Sequence, residues 1–162
     1  MADEVAGRSV QELVTGGWVS QVVRALAQLR VADHLADGPR SLTSLATATG
    51  THAPSLARLM RAAVGLGLCT RSPGEQFALT TTGDALRSAA GGSARAFALM
   101  GEAPYQRRAW EALADAVRTG RPVFEETHGV TFWEYLAQHP DDQVNFDDTM
   151  AGGTASRNAA AQ

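Results

Sequence analysis

From Val10 to Ala36 the apolar residues recur at spacings near three and four: Leu13, Val14, Val22, Val23, Leu26, Leu29 and Leu35, with Trp18 and Val19 between them. That period predicts an amphipathic helix. Gly16-Gly17 interrupts it, so the segment reads as two helices or one bent one. Its apolar face is wide and has to be covered, either by the chain's own core or by another subunit. The pattern alone leaves both open.

Asp37-Gly38-Pro39 is a turn and a helix stop. Ser41 then caps a short helix from Leu42 to Thr49, and Gly50 ends it. Thr51 or His52 opens the next helix, which tolerates Pro54 in its first turn and turns Leu56, Leu59, Met60, Ala63, Val64 and Leu66 to one side. Leu68–Arg71 and Gln76–Thr80, joined by Ser72-Pro73-Gly74-Glu75, read as a short β-hairpin. Thr82–Leu86 starts another short helix. Helices followed by a two-stranded wing make a winged-helix arrangement, with a helix-turn-helix inside it.

Ala89–Ser93 is a small-residue linker, and the domain boundary falls there: residues 1–90 form one unit and 94–150 a helical segment. In that segment helices are expected at Ala94–Met100, Tyr105–Arg118, Thr131–Gln138 and from Asp141 through Met150, with Phe124–Gly129 irregular. Residues 151–162 are small and polar and should fray. Alanine, leucine and arginine dominate, isoleucine is absent, and the fold class is mostly α.

Composition narrows the functions. The chain has 162 residues, a formal charge of −3 and 44% hydrophobic residues, which fits a folded globular protein. All fourteen basic residues are arginine. Residues 1–81 carry seven arginines against six acids, and 82–162 seven against eleven, so no global basic footprint for nucleic acid exists. One cysteine, Cys69, excludes an internal disulfide and a thiol-rich metal site. No apolar run reaches membrane-spanning length, and the acidic start lacks a signal-peptide core, which places the chain in the cytoplasm.

Candidate chemistry is sparse. His34, His52, His128 and His139 show no metal-ligand spacing, so no metal site is expected. His128, beside Glu125 and Glu126, is the best of them, though a helix-start hydrogen bond accounts for it more simply. Cys69 has apolar neighbours and reads as a buried thiol. Asp141-Asp142 and Asp147-Asp148 read as helix starts and solvated faces. No catalytic residue is assigned. More informative are the aromatic and thioether side chains after Met100, which suit an apolar wall for a flat ligand. Trp133 and Met150 are the candidates for facing such a pocket.

Several runs, in order, carry a resemblance. They are Leu29–Leu35, Leu59-Met60-Arg61 through Gly65–Leu68, Phe77–Ser88, Ala98–Glu102, Gly120–Glu125, Phe132–Leu136 and Phe146–Met150. The chain resembles the N-terminal region of bacterial small-molecule O-methyltransferases of the aromatic polyketide and phenolic type. The resemblance implies a winged-helix dimerisation domain followed by helices that roof a substrate pocket, in a homodimer of interleaved N-terminal helices. It places Trp18, Val22, Leu26 and Leu29 at the subunit seam. It places Met100, Phe146 and Met150, and less directly Trp133, at the pocket. The family's S-adenosylmethionine site and catalytic base lie in a following Rossmann-like domain, which these residues do not resemble, so this chain is expected to bind no cofactor and to be inactive alone. Two other readings remain. One is a stand-alone binder of aromatic metabolites. The other is a winged-helix DNA-binding regulator using Arg58, Arg61 and Arg71, for which three arginines are thin support.

Overall fold

The computed structural model describes residues 9–88 and 94–160. The linker expected at Ala89–Ser93 lies outside them. The first helix, α1 (Val10–Gln28), is one continuous element. Ser9 Oγ accepts from Glu12 N at 3.2 Å and Ser9 N donates to Glu12 Oε2 at 2.7 Å, a reciprocal cap that fixes the start. Gly16 and Gly17 do not break it; each costs about 1 kcal/mol against alanine in a helix interior. The break falls at Arg30, which takes a left-handed conformation (φ 52°) just past the helix end and starts α2 (Val31–His34).

A helix-turn-helix follows: α3 (Leu42–Thr49) and α4 (Ala53–Gly65). Ser41 Oγ caps α3 through Ser44 N, and Gly50 closes it in the left-handed region (φ 63°), where only glycine sits without strain. Leu56, Met60 and Ala63 place the apolar stripe of α4 on the core. The wing is β2 (Cys69–Arg71) and β3 (Gln76–Leu79). It gains a third strand that the pattern did not predict, β1 (Arg40–Ser41), antiparallel to β3 with Arg40 opposite Phe77, giving the order β1-β3-β2. Two residues are too few to show a period; the pairing partner creates this strand.

After β3 comes α5 (Thr81–Asp84), capped by Thr80. The second half is α6 (Ala94–Gly101), α7 (Pro104–Glu111), α8 (Leu113–Thr119), α9 (Phe124–His128), α10 (Phe132–Gln138) and α11 (Pro140–Ala160). Two expectations change here. The helix expected over Tyr105–Arg118 is divided at Ala112, and the segment expected to be irregular, Phe124–Gly129, contains α9. The backbone of α11 stays helical to Ala160, past the Met150 end that the pattern gave.

Two clusters hold the fold together. The first joins Leu26, Val31, Leu35, Leu45, Leu56, Met60, Leu68, Phe77 and Leu86. The second, Ala103, Tyr105 and Leu136 with Phe124, Phe132, Tyr135 and Phe146 around them, is nearly all aromatic. Between them α6 packs on α1 along one side and on α11 along the other. Asp33 fastens the end of the first unit: its carboxylate accepts from Ser88 N and Ser88 Oγ, both at 2.7 Å, and from Arg30 Nε at 3.1 Å.

Burial by itself would raise the Asp33 pKa, but the Ser88 and Arg30 donors outweigh it and hold the carboxyl below its ordinary value of 3.8. A lowered folded-state pKa stabilises above the unfolded-state value and is lost as pH falls through the folded-state one. The wild-type melting temperature should therefore fall as pH drops below about 4, and Asp33→Asn should remove this part of the dependence. Gly83 gives a second expectation. A Cβ there would run into the Leu68 carbonyl, which is backbone and cannot step aside. Gly83→Ala should cost about 2 kcal/mol in denaturant unfolding.

Candidate functional site

Helix α1 contributes Val19, Ser20 and Val23 to one wall of a wide cleft. The stretch after α5 contributes Ala85 and Leu86; α6 and α7 contribute Phe97, Met100, Gly101 and Trp110. The cleft is about 690 Å³ and its lining is mostly apolar, within the size range of small-molecule pockets. Its polar lining residues are Ser20, Thr82, Glu102 and Gln106. Gln21 Nε2 donates to Glu102 Oε2 at 2.5 Å, and Gln106 lies near. Past Gly101, Glu102 and Trp110 the cleft continues into a shallower groove of about 500 Å³, walled by Gly17 and Gln21 on α1 and by Arg107 and Glu111 on α7.

Of the four residues expected at a pocket, Met100 is buried at this cleft. The other three stand away from it, on the aromatic cluster and α11. Trp133 is 66% exposed, with its ring 5.7 Å from that of Phe146. Phe146 is half-buried against Phe132, and Met150 is on the exposed side of α11. Trp133 and Phe146 are thus brought together, and Met100 alone of the four is a lining residue of the cleft. Phe97 and Trp110 line the cleft without having been singled out for it. Phe97 is the one aromatic in a run of alanines, so no period marks its face.

The four residues expected at a seam also divide. Trp18 is 72% exposed, whereas Leu26 lies in the core of its own chain, with Val22 and Leu29 packed against it. The side chains of α1 turn from surface to core along its length, and Leu26 falls past that turn. The exposed apolar residues of α1 are Val10, Leu13, Val14, Trp18 and Val19. A second exposed apolar stripe, Trp110, Leu113 and Val117, crosses from α7 to α8.

His128 Nε2 lies 3.0 Å from the Tyr105 carbonyl, which can only accept, so that nitrogen carries the proton and donates. His128 thus holds α9 against α7 rather than orienting a reactive group. His139 Nδ1 donates to the Tyr135 carbonyl at 2.7 Å, and its ring stacks on that of Tyr135 at 3.8 Å. Burial pushes the Cys69 thiol up to about 11, far from thiolate character at neutral pH. Tyr105 is also raised, by burial first and then by the nearby Asp142 charge. Among the described residues no cluster of His, Cys, Asp and Glu could hold a metal ion.

A nucleoside cofactor is commonly held at the carboxyl ends of parallel strands, beside a Gly-rich turn into a helix. Both strand pairings here are antiparallel and the strands are two to four residues long. No parallel-strand crevice of that kind is found among the described residues. No helix among them is long and apolar enough to cross a membrane. What the arrangement offers is apolar surface: a cleft, an aromatic cluster and two exposed stripes.

Residues 11–89 match the model of the O-methyltransferase dimerisation domain. A phenazine O-methyltransferase of Lysobacter antibioticus is 37% identical over 144 residues, 88% of this chain and 42% of its own length. The crystal structure of LaPhzM superimposes with a TM-score of 0.84 at 35% identity, over 90% of this chain and 43% of that one. The neocarzinostatin O-methyltransferase NcsB1, solved with S-adenosylmethionine and 2-hydroxy-5-methyl naphthoic acid, gives 0.65 at 38% identity, over 83% of this chain and 42% of that one. The chain thus spans less than half the length of these relatives.

The aromatic cluster carries one expectation of its own. The Tyr105 hydroxyl is buried, and Gln106 lies beside it without reaching hydrogen-bond geometry. A buried hydroxyl without a partner costs more than the methine that replaces it. Tyr105→Phe should raise stability by about 1 kcal/mol in thermal or denaturant unfolding; a comparable loss would mean that the hydroxyl has found a partner.

Proposed function

Residues 11–89 belong to the O-methyltransferase dimerisation-domain family, and from that premise we propose that the chain is the dimerisation and substrate-roof part of an S-adenosylmethionine-dependent O-methyltransferase of aromatic natural products. The observation that carries this reading is the exposed stripe of α1. Val10, Leu13, Val14 and Trp18 lie on the outside of a capped helix, in a domain that matches one named for dimerisation. A contiguous apolar patch of this kind marks a contact surface.

In this reading two copies associate through the first half of α1. Met100, Phe97 and Trp110 on one side, and Trp133, Phe146 and Met150 on the other, supply apolar walls over an aromatic acceptor. Flat hydroxylated rings suit such walls, and the relatives are named for phenazine and naphthoate substrates. The donor site and the catalytic base would belong to the remaining length that the relatives have, and the described residues alone would catalyse nothing. The protein would act in the cytoplasm.

The 690 Å³ cleft gives a second reading some ground, that of an accessory protein binding aromatic metabolites without methylating them. A DNA-binding role gains nothing from the structure. Arg58 donates to Ser55 Oγ within its own helix, and Arg71 pairs with Glu75, so two of its three arginines are already engaged.

Sedimentation equilibrium tests the dimer. The chain should have twice its 17.0 kDa mass at about 20 µM. Trp18→Asp should weaken association at least about tenfold with the far-UV circular dichroism unchanged, because Trp18 is 72% exposed in its own chain. A wild-type chain still monomeric at about 100 µM would overturn the reading.

A further inference from the structure

Two glycines in the middle of a well-capped helix need a reason, and the chain by itself supplies none. A Cβ at Gly16 or at Gly17 would meet nothing within 4 Å, and neither residue has a positive φ. Alanine would fit both positions and favour the helix. The two differ in where they point. Gly16 is half-buried, and at 100° per residue it sits on the side that faces the cleft. Gly17 is exposed and lies in the middle of the outer stripe, since Val10, Leu13, Val14, Gly17, Trp18 and Gln21 follow one another at spacings of three, one, three, one and three. A glycine set among large apolar residues on an outer face is a notch. It permits another backbone to approach more closely than any side chain would allow.

We propose that a second copy of this chain fills that notch, the two α1 helices crossing at Gly17 on a twofold axis. The inference rests on the dimer reading above and deepens it. The occupant follows from the dimerisation-domain match over residues 11–89, which includes this stripe from Gln11 onward, and from the twofold form of most homodimers, in which the same patch meets itself. On such an axis Gly17 meets Gly17, and the larger residues on either side pack past one another. Trp18 of each copy then reaches the groove beside Gly17 of the other, where Trp110 stands exposed as a wall and the space is about 500 Å³. One crossing thus covers the exposed apolar half of α1 and one end of the α7–α8 stripe together.

Three variants of the full chain test this by sedimentation equilibrium, with thermal melts as the check on folding. Gly17→Leu raises helix propensity and adds apolar surface, so a face that merely sticks would bind as well or better. A crossing at Gly17 requires the opposite, a dimer dissociation constant at least about tenfold weaker. Gly16→Ala should leave the dimer unchanged, which separates the crossing from any general effect of a stiffer helix. Should Gly17→Leu melt early, Gly17→Cys decides. Across a twofold crossing its two thiols lie within disulfide reach, and it should cross-link under mild oxidant much faster than Gly16→Cys. Cys69 is buried and will not compete. A Gly17→Leu dimer as tight as wild type, or equal cross-linking at positions 16 and 17, would overturn the crossing while leaving the dimer intact. A monomeric wild type would overturn both.

Discussion

The packing of α6 between α1 and α11 is the constraint on which the rest of the molecule depends. The helix is only eight residues long, and six of them are Ala94, Ala96, Phe97, Ala98, Met100 and Gly101. Small side chains let two other helices approach it from opposite sides, while Ala96 and Met100 are buried between them. Ala98 packs on the winged-helix core, and Ala103, just past the end of α6, belongs to the aromatic cluster. Polar ties fix the same seam: Arg24 Nε donates to the Leu99 carbonyl at 3.4 Å and Gln21 to Glu102. Without α6 each cluster would lose its neighbour, and the cleft would lose one of its walls.

This arrangement separates what the chain completes from what it leaves open. The winged-helix core is closed: Leu45, Met60 and Ala63 have no exposed surface. The outward faces of α1, α7 and α8 stay apolar and uncovered within one chain. A domain that buries its core fully and still shows tryptophan at 72% and 64% exposure has surface built for something beyond itself. The bonds of His128 and His139 hold the backbone together, and the Cys69 thiol is buried.

Much of the fold was legible in the sequence because it rests on local signals. Ser41 capping α3, Gly50 ending it and the Leu56–Met60–Ala63 spacing of α4 are each readable from a few neighbouring residues, and the structure has all of them. What was not legible depends on distant partners. The strand β1 exists because β3 lies beside it. Gly16-Gly17 reads as a breaker until the cap at Ser9 and the packed second half of α1 hold the helix straight. Leu26 and Trp18 share one apolar pattern, and only the packing of the second half of α1 on the winged-helix core sends one inside and leaves the other out. The site was less legible still. Only the resemblance put Met100 near a pocket; the cleft itself is a space between α1, α6 and α7, and no run of residues encodes a space.

The long α11 has a mechanical meaning. It holds 21 residues, so its axis is about 30 Å long, and its first half is the part that touches the aromatic cluster, through Phe146. It packs on α10 near the aromatic cluster and, more extensively, on α6, which itself lies on α1. The helix therefore ties the rings around Tyr105 to the same seam that joins the two halves of the fold, and a shift of those rings is passed on to that seam as a tilt of the whole helix.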